Sequence, residues 1–192
     1  MKAFGAALLI AASCMLAGAA RTDIVEGNPS SPVRVVIYGD LQCSDCAHFR
    51  GMLDQRILPR YGSRVVFIHR DFPLPKHDWA RQAAIAGRWV YEHDPKLGIV
   101  FRREIMSEQD NINPQNLKAW LIEFAARNKL DQKGILDSLD DQRLATLVDQ
   151  DYQGAVARGV SKTPTVYVGG EAFVENIIYE DIARALDQAL AP

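Results

Sequence analysis

Cys43 and Cys46 stand in the run Tyr38-Gly39-Asp40-Leu41-Gln42-Cys43-Ser44-Asp45-Cys46-Ala47-His48-Phe49, and the patterns flanking them constrain the fold. Val33 to Tyr38 is apolar and rich in β-branched residues, which predicts a buried strand. Beyond the pair, Cys46, Phe49, Leu53 and Ile57 share one face of a helix. The dithiol therefore falls where a strand ends and a helix begins. Unpaired backbone N–H groups and the helix dipole favour negative charge at such a point. A thiol there gives up its proton readily, and the thiolate is the form that attacks disulfides. One helical turn separates the two cysteines, close enough for their sulfurs to bond. The pattern implies a reactive dithiol.

Of the three cysteines, Cys14 falls in a stretch that reads as a removable leader over residues 1–20. Lys2 supplies a short positive start, Ala3 to Leu16 is almost wholly apolar, and Ala17-Gly18-Ala19-Ala20 offers small residues for cleavage. The apolar run is shorter than the roughly 20 residues of a spanning helix, which disfavours a permanent anchor. A rival reading lipidates Cys14 as in a bacterial lipoprotein. Ala11-Ala12-Ser13 lacks the leucine usual three positions before such a cysteine, so secretion with cleavage is the preferred reading. The mature chain then keeps only Cys43 and Cys46. Exported proteins use cysteines as staples, but a loop this short stabilises little. Structural use is disfavoured, and the expected location is periplasmic or otherwise extracytoplasmic.

A mature chain of roughly 170 residues suits one domain with a sizeable core. The formal net charge is −2, or −3 once Lys2 is removed with the leader, and no basic cluster follows; nucleic acid is excluded as a partner. No repeat, low-complexity tract or second-domain linker interrupts the chain. The short segment between Ala20 and the first expected strand leaves no room for an N-terminal dimerisation module, so a monomer is expected.

A second strand is expected over Arg64 to His69, at a spacing that suits a βαβ unit. From His77 to Gly159 the chain reads as successive helices. Asp94-Pro95 and Asn113-Pro114 each read as a cap followed by proline at the first helical position. Leu117, Trp120, Leu121 and Phe124 form one apolar stripe, and Leu144, Val148, Tyr152 and Ala155 another. Thr165 to Val168, Gly169-Gly170 and Glu171 to Val174 predict a tight hairpin. A last helix carries Ile182, Ala185, Leu186 and Ala189 on one side. The expected order is β-α-β, a helical block, then β-β-α.

This order, with Cys-x-x-Cys after the first strand and Ser161-Lys162-Thr163-Pro164-Thr165 before the hairpin, resembles the thioredoxin fold. More narrowly, it is similar to the DsbA-like thiol–disulfide oxidoreductases, in which Arg70-Asp71-Phe72-Pro73-Leu74-Pro75-Lys76-His77 matches a Phe-Pro-Leu-x-x-His stretch. The resemblance implies an α/β thioredoxin-fold domain over 21–192, with a helical insertion at about 77–140. It implies that Cys43 is the exposed nucleophile and Cys46 the sheltered resolving thiol. Pro164 matches the cis-proline that faces the dithiol. Thr163 then offers its backbone to an extended substrate and its hydroxyl to the sulfurs. Ser44 and Asp45 occupy the positions that tune redox poise. Asp45 replaces the histidine of strongly oxidising relatives, so its carboxylate, if it faces the thiolate, makes the pair less oxidising; the alternative is that it points to water and is screened. Ile37 stands where many such enzymes hold a buried acid. Asp40 is nearer the motif and reads either as its substitute or as a turn or cap residue.

The implied activity is disulfide exchange with cysteines of exported polypeptides, run as a dithiol oxidase, with no cofactor beyond the dithiol. Reoxidation would require a quinone-linked membrane partner. A reductase or isomerase would use the same residues in reverse. A different class, an exported Cu(I) or zinc chaperone, would use the same dithiol as ligands. Cys43, Cys46 and His48 could be joined by His69, His77 or His93, but structural zinc sites commonly use a second cysteine pair, so no metal site is expected. The four histidines read as surface or packing residues, Trp79, Trp89 and Trp120 as helical-block core, and Asp137 to Arg143 as a solvated helix junction.

Overall fold

The computed structural model describes residues 23–191, so the leader expected over residues 1–20, with Cys14, lies outside the described residues. The strands are β1 (Ile24–Gly27), β2 (Arg34–Gly39), β3 (Val66–Asp71), β4 (Thr165–Val168) and β5 (Glu171–Val174). They form one sheet in the order β1-β3-β2-β4-β5. Only the β2–β3 pair is parallel, and it places Ile37 directly beside His69. Gly169 and Gly170 join β4 to β5 with φ of 56° and 92°, a left-handed turn that side chains resist.

Between β2 and β3 run α1 (Ser44–Met52), a π turn (Leu53–Ile57) and α2 (Leu58–Tyr61). Phe49, Leu53, Ile57 and Tyr61 from this crossover pack on Val35, Ile37, Phe67 and Val166 of the sheet. The final helix α8 (Tyr179–Ala189) adds Ile182, Ala185 and Leu186 to that core. The amphipathic stripes read from sequence thus bury the same face of the sheet from both chain halves.

The helical block comprises α3 (Ala80–His93), α4 (Pro95–Ser107), α5 (Leu117–Arg127), α6 (Gln132–Asp137) and α7 (Gln142–Val156). Asp94 caps α4 through the amides of Lys96 and Leu97, with Pro95 at the first position, as the sequence predicts. Phe101, Trp120 and Phe124 form the aromatic centre of the block, with ring centroids 5.1–5.6 Å apart. Cys43 and Cys46 pack into the edge of this second core, so the dithiol sits at the seam between block and sheet.

Buried ion pairs fasten the seam. Asp71, at the end of β3, accepts from Arg88 Nε and Arg102 Nη1, both at 2.8 Å. Asp151 of α7 pairs with the same Arg88 and accepts the Asp71 backbone N–H at 3.1 Å. Burial alone would raise the Asp71 pKa; the charges of Arg88 and Arg102 outweigh it and hold the carboxyl below its usual range.

Three details differ from expectation. An additional strand, β1, precedes the expected first one and pairs antiparallel with β3. Its sequence, Ile-Val-Glu-Gly, is too short to show an alternating pattern, and its partner supplies the order. β3 runs Val66–Asp71 and so extends past His69 to two charged residues, which the ion network accommodates. Asn113-Pro114 does not open a helix, since α5 starts at Leu117. Asn113 Oδ1 instead takes the amides of Gln115 and Asn116, while Asn116 Oδ1 takes the amide of Asn113, fixing a turn. Among the described residues, no helix is long and apolar enough to cross a membrane.

Candidate active site

β2 ends at Gly39, and the chain turns through Asp40 to place Cys43 at the N-cap of α1, in extended conformation. An N-cap side chain faces the free amides of the first turn, and the Cys43 sulfur takes this position. The Cys46 side chain is the strongest influence on it, followed among lowering effects by the Thr163 side chain and the backbone N–H groups of Cys46 and Asp45. Together they outweigh burial and lower the Cys43 pKa to about 6. Cys46 is displaced in the opposite direction. Burial raises its pKa well above the ordinary thiol value, and the neighbouring Cys43 adds to the effect. One sulfur is set to carry charge and the other a proton.

The two thiols are free, and both residues are buried, Cys43 at 7% exposure and Cys46 at 3%. The expectation of an exposed Cys43 is corrected here. The Thr163 carbonyl lies 3.4 Å from its sulfur and covers it from the hairpin side. Access is through a groove of about 730 Å³, which Cys43 lines and Cys46 does not. Leu74, Pro75, Trp79 and Ile112 give it apolar wall, and its charges are mixed: Lys76 and a Lys162–Glu175 pair at 2.7 Å stand with Asp45 and Asp110. Ser44 and Asp45 are exposed on its rim.

The Thr163–Pro164 peptide bond is cis. Thr163 is buried, and its hydroxyl lowers the pKa of both thiols without an acceptor or donor at normal hydrogen-bond geometry among the protein atoms. On the inner side, Cys46 Sγ accepts the Asp40 backbone N–H at 3.4 Å. The Asp40 carboxylate turns elsewhere, to the amides of Gln42 and Leu74 and to His77 Nδ1, all at 2.7 Å. It fills its oxygens as a loop clasp, the turn role of its two sequence readings. Gln42 assists by accepting the Trp79 amide at 3.0 Å.

Ile37 and Cys46 border one small cavity, and among the described residues no carboxylate lines it. Beside Ile37 on β3 stands His69, buried, with Nε2 2.8 Å from Glu26 Oε2. Glu26 also receives Arg50 Nη1 at 2.5 Å and Arg103 Nη2 at 3.1 Å. The sequence alone offers His69 as a surface or packing residue or a fourth metal ligand and does not single out Glu26, because nothing local connects residues that lie on different strands. Of the other histidines, His77 lines the groove and bonds Asp40, whereas His93 bonds the Trp89 carbonyl of its own helix. Among the described residues, no group of three or more His, Cys, Asp or Glu side chains is arranged to hold a metal ion.

This fold, with its helical block between the two halves of the sheet and a Cys-x-x-Cys opening α1, defines a thioredoxin-fold protein. The family model described as Thioredoxin matches residues 19–188, and the chain belongs to that family. Among curated relatives, Na(+)/H(+) antiporter NhaA 1 of Mycolicibacterium gilvum is 27% identical over 158 residues, covering 78% of this chain and 24% of the antiporter. The chain thus spans about a quarter of the length of the antiporters it matches. Disulfide bond formation protein D of Bacillus subtilis is 23% identical, with 86% of this chain and 76% of that protein covered. The solved structure of Wolbachia pipientis α-DsbA1 superposes with a TM-score of 0.76 at 20% identity, over 87% of this chain and 90% of the other. That likeness establishes the fold.

Proposed function

We propose that this chain is an extracytoplasmic thiol–disulfide oxidoreductase that oxidises cysteine pairs in exported polypeptides. In this reading residues 1–20 are a secretory leader, and residues 21–192 act as one domain with its helical insertion at about 77–140. The opposed displacement of the two thiol pKa values supports the reading most directly. A stabilised Cys43 thiolate favours the reduced dithiol, and a favoured reduced form makes the disulfide an oxidant.

A substrate thiolate attacks Cys43 of the Cys43–Cys46 disulfide. The Cys46 sulfur leaves with the bonding pair and takes up a proton. A second substrate thiolate then attacks the substrate sulfur of the mixed disulfide and expels Cys43 as thiolate. The substrate loses two electrons and the dithiol gains them. A quinone-linked membrane partner, acting through its own disulfide, restores the oxidised form. Thr163 offers backbone to an extended chain in the groove, Pro164 shapes that loop, and Ser44 and Asp45 border the approach.

The test uses oxidised protein and a reduced two-cysteine peptide. Stoichiometric peptide oxidation, lost in Cys43→Ser, supports the assignment, as does a Cys46→Ala variant that accumulates the mixed disulfide. An unreactive wild-type disulfide would overturn it. Alkaline phosphatase joined after residue 40 reports location; activity confined to the cytoplasm-excluded compartment is expected.

A further inference from the structure

Reduced Cys46 carries a proton that must leave before this sulfur can bond to Cys43 again. Its surroundings make the unaided loss costly, since burial opposes the thiolate. A resolving thiol in such a place requires a base within reach.

A cavity of about 20 Å³ lies against Cys46; its walls are mainly apolar, with Ile37, Phe49, Leu53 and Met106 among them, and His69, Arg50 and Arg102 supply its polar groups. Such a volume accommodates roughly one water. His69 is buried at 5% exposure, and its Nε2 is engaged by Glu26. Burial would raise the Glu26 pKa, but the hydrogen bond from His69 and the charge and hydrogen bond of Arg50 outweigh it, and the carboxyl stays ionised. An ionised carboxylate only accepts. Glu26 therefore keeps the His69 proton on Nε2 and leaves the Nδ1 lone pair as the basic site, the orienting role an aspartate plays beside a catalytic histidine. Burial lowers the His69 pKa, Glu26 opposes this, and Arg102 and Arg50 push in the same direction as burial, so the ring is neutral. The charged groups around this pair are Glu26 of β1, Arg50 of α1, Asp54 of the π turn, and Arg102 and Arg103 of α4. None of the exchange steps above uses this buried base.

We propose that His69, oriented by Glu26, accepts the Cys46 proton through this cavity when Cys46 resolves a mixed disulfide, and returns it when Cys46 leaves. This rests on the redox reading of Cys43 and Cys46. In the resolving step the Cys46–Cys43 bond forms, the bond between Cys43 and the partner sulfur breaks, and the partner leaves as thiolate with the electron pair. The proton passes from Cys46 to His69 and from there to solvent. In the reverse direction His69 protonates the departing Cys46 sulfur. His69 thereby takes up a task that Ile37, its neighbour across the strands, has no group to perform.

The experiment mixes reduced protein with excess aromatic disulfide (Ellman's reagent) and follows thiolate release in two phases. The first reports attack by Cys43, and the second, absent in Cys46→Ala, reports resolution by Cys46. His69→Gln retains an N–H for Glu26 but has no basic nitrogen. It is expected to leave the first phase unchanged and slow the second at least ~10-fold, within the span of general-base effects. Glu26→Gln, which releases the tautomer, is expected to slow the same phase. An unchanged second phase in His69→Gln, or equal slowing of both phases, would overturn the proposal. Unaltered protein supplies a reading that needs no variant to fold: heavy water should slow the second phase and not the first, and equal sensitivity refutes the relay. A missing first phase in unaltered protein would instead overturn the redox reading itself.

Discussion

Asp40 Oδ2 and His77 Nδ1 meet at 2.7 Å, and the contact clasps the loop carrying Cys43 to the loop walling the groove. The same carboxylate satisfies the amides of Gln42 and Leu74, one on each side of the clasp. A nucleophile on a loop needs such anchoring, because connecting segments are otherwise the mobile part of a fold. Asp40→Ala leaves both amides without their acceptor. At about 1–3 kcal/mol for each unsatisfied buried group, and with both hydrogen bonds only partly buried, a loss of roughly 2–4 kcal/mol is expected in urea unfolding of the reduced protein. A loss below about 1 kcal/mol would show that water replaces the carboxylate freely.

Thr163 provides a second test. Its buried hydroxyl makes no hydrogen bond to another protein atom in the reduced structure and is free to donate to a Cys43 thiolate; Thr163→Val keeps the shape while removing that donor. Hydrogen bonds to a charged group contribute about 1.5–3 kcal/mol, and one pKa unit corresponds to about 1.4 kcal/mol. The Cys43 pKa should rise from about 6 toward neutrality. Iodoacetamide alkylation against pH, or thiolate absorbance, reads the value. An unmoved pKa would assign the whole depression to Cys46 and the helix terminus.

What was legible in the sequence was local. Cys43 and Cys46 declare themselves because strand, turn and helix patterns converge within a dozen residues, and Asp94-Pro95 because a cap and its proline are adjacent. Glu26 and His69 were not, because their pairing is made by the β1–β3 register between segments 43 residues apart. The depth of Cys43 escaped for the same reason. The residue that covers it, Thr163, comes from the other end of the chain. Asp40 showed two sequence roles, and only its partners Leu74 and His77 choose between them.

Asp45 is exposed, and its backbone N–H rather than its carboxylate is among the leading influences on Cys43. Asp45→His is therefore expected to change the reduction potential by less than about 30 mV, the equivalent of a tenfold change in the exchange equilibrium. A glutathione titration of both proteins measures it. A larger shift toward oxidising values would mean that the carboxylate reaches the thiolate in solution.

Arg88 and Arg81 make a controlled comparison of buried and exposed ion pairs. Arg88 is 3% exposed between Asp71 and Asp151, whereas Arg81 meets Asp149 with both side chains at least half exposed. Arg88→Met leaves two buried carboxylates without their shared cation and is expected to cost about 3–5 kcal/mol. Arg81→Met should cost less than about 1 kcal/mol. Equal effects in chemical denaturation would remove the network as the fastening of helical block to sheet.

Stability of the reduced protein should rise with pH, in a window fixed by Cys43. Its folded pKa is lowered to about 6, against about 8.5 for a free thiol in the unfolded chain. The unfolded state therefore binds more protons than the folded state between these values, and unfolding free energy increases with pH there. The contribution is fully present above the free-thiol value and is lost as pH falls through about 6. Cys46 acts outside this window: its raised pKa removes stability only where free thiols ionise, at higher pH. Comparison with Cys43→Ser, which lacks the titrating thiol, separates this contribution from those of groups distant from the dithiol. The difference in urea midpoint between reduced wild type and reduced Cys43→Ser should grow steadily from about pH 6 to about pH 8. A flat or falling difference would show that Cys43 is not held as a thiolate, and the nucleophile assignment would lose its electrostatic basis.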